Sequence, residues 1–326
     1  FENAPLVPDI ILLQGQVGTV YGGCNKGAMT TGKDFTIGGN TYENVGSMVR
    51  LRSTYPANNE AGYVVPTAVV SNAVYGGCRM SDVTNNSLVI VEGGNHSNAS
   101  MFGGSDISGT VGGTSQVVVT GGTIANAIGG GNGDYYYANN NVYPNNDHNN
   151  PIAIGTAQNP IVKPSTHDSR IDMGGGTANN LYAGGNACNS GATLTNMTDG
   201  IVNTGVYGGC NSSGSMAGNV EVNVTGGQVG ASYAARGNVH GGGYGADTQT
   251  AGNVTVNIGA APVAPSTTPT GTANIYGDIY GGSALGQVSA SDKLTQVNFY
   301  KGTVNGDVYC GGLGDADHPA EVSGDV

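Results

Sequence analysis

The chain has 326 residues, including 59 glycines and 12 prolines, no tryptophan, and only 10% charged residues. Glycine without a G-X-Y period excludes a collagen-like helix, and the combined glycine and proline share stays below that of low-complexity chains. Twenty-two acidic against ten basic residues give a formal charge of -12, and with no basic run there is nothing to hold a nucleic-acid backbone.

The first residue is Phe1, with no leader-like sequence after it, so the chain reads as a processed product or a piece of a longer one. No apolar run approaches the roughly 18 residues needed to span a bilayer. The first recognisable element is "TVYGGCN" from Thr19, and its pattern returns along the chain. It recurs as "AVYGGCR" from Ala73, "SMFGGSD" from Ser100, "AIGGGNG" from Ala127 and "LYAGGNA" from Leu181. Further copies are "GVYGGCN" from Gly205, "NVHGGGY" from Asn238, "DIYGGSA" from Asp278 and "DVYCGGL" from Asp307. The spacing implies a unit of about 25 to 30 residues, interrupted by insertions, which is the signature of a stacked-repeat architecture.

A second element precedes many of these corners: "SLVIVEGG" from Ser87, "SQVVVTGG" from Ser115, "SRIDMGGG" from Ser169, "NVEVNVTGG" from Asn219 and "TQVNFYKG" from Thr295. In the clearest copy Val220, Val222 and Val224 alternate with Glu221 and Asn223, the period of a strand with one buried face. Each unit is therefore strand, glycine corner, strand, glycine corner and polar loop. One unit cannot bury its own valines, but stacked units can. Burying one Val or Ile contributes about 1.5–3 kcal/mol. Glycine is expected at the corners for positive φ and close backbone approach. These features predict an all-β, single-stranded parallel β-helix of about nine to ten coils, 40–50 Å long at the strand spacing. The whole of 1–326 is expected to be one domain, with an inserted Asn/Tyr-rich loop region at 131–169. The aromatic positions Tyr21, Tyr75, Tyr182, Tyr207, Tyr280 and Tyr309 should stack in one file.

Through "VYGGC", "NVEVNVTGG" and "GDIYGG", nearly the whole chain resembles the glycine-rich right-handed parallel β-helices of bacterial cell-surface and adhesin-like proteins. The resemblance implies right-handed coiling, an extracellular or cell-surface location, and a structural or adhesive role without catalysis. The competing reading is a carbohydrate-active β-helix, a polysaccharide hydrolase or lyase or a phage tailspike. Polygalacturonase-like enzymes carry N-x-D, D-D, G-H-G and R-x-K on successive coils. Here only "NND" at Asn145 to Asp147 is found, inside the insertion.

Candidate sites are few. In "NGDYYYANNNVYPNNDHNNP" three consecutive tyrosines cannot all face one core, so Tyr135, Tyr136, Tyr137 and Tyr143 are candidates for stacking on a carbohydrate or gripping a host or neighbour-cell protein. "GGYGAD", ending at Asp247, and "GDAD", containing Asp315 and Asp317, are weak Ca2+ candidates beside a simple turn. "STHDS" at Ser165 to Ser169 has triad residue types but reads as a loop, and "TLT" at Thr193 to Thr195 does not recur as an ice-binding row would. The five cysteines show no C-x-x-C spacing. Cys188 and Cys210, in "CNSG" and "CNSS", are expected on adjacent coils, either disulfide-bonded or as a buried ladder. Finally, "AEVSGDV" from Ala320 matches "GTVNGDV" from Gly302, so the chain stops where another corner should begin. A longer stack, or end-to-end self-assembly, is the expectation.

Overall fold

In the computed structural model, residue 10 and residues 12–56, 63–288 and 290–326 are described; Phe1 lies outside them. Among the described residues there is no helix, so none is long and apolar enough to cross a membrane. One 24-stranded sheet dominates. Its pairings are parallel, except at the hairpin of Lys33–Ile37 with Asn40–Leu51 and at the short return of Gln228–Ser232 onto Ala235–Arg236. This is an all-β parallel-stacked architecture compatible with a β-helix.

Valine alternation produces the main stack. Val49, Val89, Val117, Ile171, Thr195, Val222, Val256 and Val297 pair in one file across eight strands. All but Val297 are buried. Thr193 and Thr195 of "TLT" therefore point inward, and not toward solvent as an ice-ordering row would.

The nine corner positions form a single file. Tyr21, Tyr75, Phe102, Ile128, Tyr182, Tyr207, His240, Tyr280 and Tyr309 are register partners in succession. Rings stack face to face at centroid separations of 4.7 to 5.1 Å, with the run interrupted at Ile128. The separations match the strand spacing, so backbone pairing and ring contact reinforce each other. His240 stands between Tyr207 and Tyr280. Burial pushes its pKa down to about 3, keeping the ring neutral.

The two kinds of glycine corner differ. A Cβ at Gly22 would stand 2.7 Å from the Gly76 carbonyl oxygen, so the corner after the aromatic residue needs glycine for space. Positive φ is absent from these glycine pairs and recurs at the other kind of corner, as at Gly122 (φ 79) and Gly227 (φ 77). Inward hydroxyls complete the first kind. Ser87, Ser115 and Ser169 donate to the carbonyls of Gly103, Gly129 and Ala183 at 2.6, 2.7 and 2.6 Å, and Thr193 donates to Gly208 at 2.6 Å. A buried carbonyl left unpaired would cost about 1–3 kcal/mol, which explains a polar residue at the head of each "SxVxV" strand.

Two expected boundaries move. Within 131–169, residues 165–169 belong to the strand Ser165–Tyr182, so "STHDS" is strand and not loop. The remainder contains a three-stranded antiparallel sheet, Tyr136–Ala138, Asn141–Tyr143 and Ala153–Ile154. At the other end, Val322 bridges Val288 and Asp325 bridges Leu294. Val304 instead pairs with Ile275. The likeness of "AEVSGDV" to "GTVNGDV" thus joins two different corners of the unit.

Candidate functional site: an amide-lined groove

The most developed surface lies on the outward side of the long strands. Outward residues alternate with the buried valines, and successive strands place Asp172, Asn196, Asn223, Asn257 and Asn298 in one file. Each asparagine Nδ2 donates to the oxygen of the preceding member. Asn196 reaches Asp172 Oδ1 at 2.9 Å, Asn223 reaches Asn196 at 3.0 Å, Asn257 reaches Asn223 at 2.8 Å, and Asn298 reaches Asn257 at 2.9 Å. An amide carries both a donor and an acceptor, so it can continue such a chain indefinitely. A carboxylate can only accept, so Asp172 ends it.

Asp172 is fully committed. Arg170 grips it with Nε at 2.6 Å from Oδ2 and Nη2 at 2.7 Å from Oδ1, and Gln116 Nε2 adds a bond to Oδ2 at 2.6 Å. With Asn196 that makes four donors, matching the lone-pair capacity of a carboxylate. The Asp172 carboxylate in turn raises the pKa of Arg170.

Three adjoining hollows of about 470, 520 and 400 Å³ follow this face. The first two share Asp172, Asn196 and Thr198; the first and third share Asn86, Thr114, Gln116 and Arg170. Residues 40–43 of the hairpin wall the first, placing Tyr42 and Glu43 at its edge, and Tyr300 and residues 259–261 border the second. Burial and the neighbouring Asp172 raise the pKa of Tyr42, so its hydroxyl remains a neutral donor and acceptor. The groove offers amide, hydroxyl and half-covered aromatic surfaces. Its one guanidinium is already neutralised.

The tyrosines singled out from the sequence do not form this groove. Tyr135 donates to Asp106 Oδ1 at 2.7 Å and Tyr137 to the Ile107 carbonyl at 2.6 Å, so both pin the insertion to the stack. Asp106 is buried and also accepts from Tyr21 at 2.8 Å and from Asn132 at 3.0 Å. Tyr136 is exposed and stacks on His148 at 3.9 Å, with the half-buried Tyr143 tilted against it at 6.1 Å. The three tyrosines therefore serve different ends, and the insertion turns its polar anchors inward.

The Ca2+ candidates are not brought together. Asp247 begins the strand Asp247–Thr250, and the Asp315 carboxylate accepts from the backbone N–H groups of Asp317 and His318 at 2.9 and 2.7 Å, closing its own turn. Among the described residues, no group of three or more His, Cys, Asp and Glu is placed to hold a metal ion. The cysteine pair is also differently placed. Tyr182 pairs with Tyr207 and Ala187 bridges Ser213, so Cys210 lies over Gly185 and not over Cys188. The two thiols are free and buried, with Cys210 Sγ 3.2 Å from the Cys188 carbonyl oxygen. Burial pushes the Cys188 thiol up to about 12.

The amide file was missed in the sequence, although its signal is there. "NVEVNV" from Asn219 and "TQVNFY" from Thr295 carry Asn223 and Asn298 at the same outward step.

No family model, no curated protein and no solved structure matches this chain.

Proposed function

We propose that the chain is a right-handed parallel β-helix from a bacterial surface or secreted protein, and that it acts as a non-enzymatic adhesive module whose amide-lined groove binds a neutral polysaccharide. The observation that carries this reading is the unbroken file from Asp172 to Asn298. Its members recur at the strand spacing of about 4.8 Å, so the groove presents the same chemistry repeatedly, as suits a polymer better than a small molecule. At Asn196 and Asn257 the ladder uses one N–H and leaves the second for a ligand hydroxyl. Tyr42 and Tyr300 flank the amides with aromatic surface, the usual complement to the apolar face of a sugar ring. A formal charge of -12 disfavours acidic polymers. Catalysis is poorly served by Asp172, whose four donors leave no lone pair for a substrate proton.

Affinity electrophoresis through gels containing neutral polysaccharides tests the reading. The wild type should be retarded by at least one polymer, and the Asn223→Ala/Asn257→Ala double variant should run freely with an unchanged circular-dichroism spectrum. Unretarded migration of the wild type through all neutral polymers tried would sink the proposal. Release of reducing ends from a retained polymer would replace it with a glycosidase reading.

A further inference from the structure

Two places in the stack bring two cysteines and a methionine together, and they differ in access. In the first repeats, register partners Tyr21 and Tyr75 are followed by paired corners: Gly22 N donates to the Tyr75 carbonyl at 2.8 Å and Gly23 N to Gly77 at 3.0 Å. Beyond them Arg79 N donates to the Cys24 carbonyl at 3.0 Å and Met80 N to Asn25 at 3.0 Å. Cys24 is thereby held over Cys78, with its own N–H 3.2 Å from Cys78 Sγ. The chain then loops through exposed residues 25–28 and returns Met29 to the same layer. Met29 N donates to the Asp82 carbonyl at 2.9 Å, and Thr84 N donates to the Met29 carbonyl at 2.8 Å. This places Met29 Sδ 3.6 Å from Cys24 Sγ. The carbonyl oxygens of Gly27 and Asp82 lie 4.0 and 3.9 Å from Cys78 Sγ.

We propose that Cys24, Cys78 and Met29 form a binding site for a soft monovalent metal ion, Cu(I), with two thiolates and one thioether as ligands. Thiolate and thioether sulfur together select Cu(I) over harder divalent ions. The three sulfurs come from two layers already fixed by backbone hydrogen bonds, so little ordering is required on binding. Cys24 and Met29 are half-buried and adjoin an exposed loop, which gives the ion a path. Binding releases the two thiol protons, forms two Cu–thiolate bonds and one Cu–thioether bond, and leaves the oxidation state of copper and sulfur unchanged.

The second cluster is an internal control. Cys210 Sγ lies 3.2 Å from Met216 Sδ and from the Cys188 carbonyl oxygen. All three residues are fully buried. The same atoms are present, but the segment from Asn211 to Ser215 that joins them is mostly half-buried, with Ser212 exposed, whereas residues 25–28 are exposed throughout.

The test uses the whole chain, reduced and handled without oxygen, with Cys310→Ser as background because Cys310 is exposed. Cu(I) is titrated against a chromophoric Cu(I) chelator, and the thiolate-to-copper absorption is recorded. One equivalent should bind. Cys24→Ser or Cys78→Ser should each abolish that equivalent, while Cys210→Ser should leave it unchanged. Met29→Leu removes a ligand and should weaken it by at least the roughly 10–100-fold that loss of even an outer-shell partner costs. Met29→Leu keeps both thiols and a similar volume, so it separates a built site from ordinary thiol affinity. Uptake that survives Cys24→Ser or Cys78→Ser overturns the proposal, as does uptake indifferent to Met29→Leu. Zn2+ competing on equal terms overturns the assignment to a soft ion.

Discussion

The outward face of the long strands is built in two ways along the stack. On Asn40–Leu51, Asn86–Val91 and Thr110–Val119 it presents Met48, Leu88, Ile90 and Val118, and Phe35, Ile37 and Tyr42 of the hairpin pack over them. From Ser165–Tyr182 onward the same register positions carry Arg170 and Asp172, then Asn196, Asn223, Asn257 and Asn298, and the face is left open as the groove. Backbone, register and inward valines are alike in both halves. What changes is the cover, and the outward residues follow it: mostly apolar beneath the hairpin, where Arg50 is paired with Glu92 and Gln116 reaches Asp172, and amide in the file from Asn196 to Asn298 where water reaches. An amide in the open half satisfies itself through its neighbours. At Ile90, an amide would have only Val118 and Arg50 as register partners and no amide to join.

Exchanging one residue between the halves should produce the largest effect. Ile90 is 2% exposed, and Ile90→Asn removes its apolar burial while placing an unpartnered amide beneath the hairpin. Its expected cost is about 3–5 kcal/mol, read as a lower urea midpoint at unchanged slope. The reverse exchange, Asn223→Ile, should cost far less, because its side chain remains at the groove surface. Similar losses for the two would show that the hairpin contributes little as a cover.

That contrast marks how far the sequence could be read. The aromatic file was legible from "YGG" spacing alone, because corner glycines punctuate every unit and admit no substitute where backbones touch. Strand alternation fixed which side of "VEVNV" turns inward. It could not say what lies on the other side, since the hairpin reaches the outward face from residues distant in sequence. Tyr135 and Tyr137 look ligand-facing in the sequence for the same reason, their partners Asp106 and Ile107 being about 30 residues away. Shared letters in "CNSG" and "CNSS" align Cys188 with Cys210, whereas backbone pairing follows the aromatic corner and sets Cys210 over Gly185. Local composition reported the repeat; register across an insertion required the structure.

A smaller effect is expected where the open half begins. Asp172→Asn keeps the shape but removes the charge that holds Arg170, and the new amide must present both an N–H and an oxygen to donors that previously met only acceptors. Hydrogen bonds to a charged group contribute about 1.5–3 kcal/mol. Arg170 and Asp172 are both partly solvated, so about 1–2 kcal/mol remains after screening. Chemical denaturation in low and high salt checks this. The difference between wild type and variant should narrow as salt rises, whereas the Ile90→Asn difference should not.

The smallest effect concerns the ladder itself and tests whether the open half behaves as a connected unit. Asn223→Leu removes an acceptor from Asn257 and a donor from Asn196. Both partners are half-buried, so water can replace part of what is lost, and the expected cost is about 0.5–1.5 kcal/mol. Asn298→Leu should cost less, because Asn298 donates to Asn257 while its oxygen is met only by Gln296 of its own strand. Chains of hydrogen bonds polarise one another, so an interior break should cost more than an end break even at equal exposure. A double-mutant cycle on Asn223 and Asn257, bonded at 2.8 Å, should show coupling of about 0.5 kcal/mol or more. Coupling near zero, with equal costs at Asn223 and Asn298, would mean that each amide is hydrated independently. The open half would then be a row of separate polar residues, and binding of a polymer would depend on individual amides and not on the file they form.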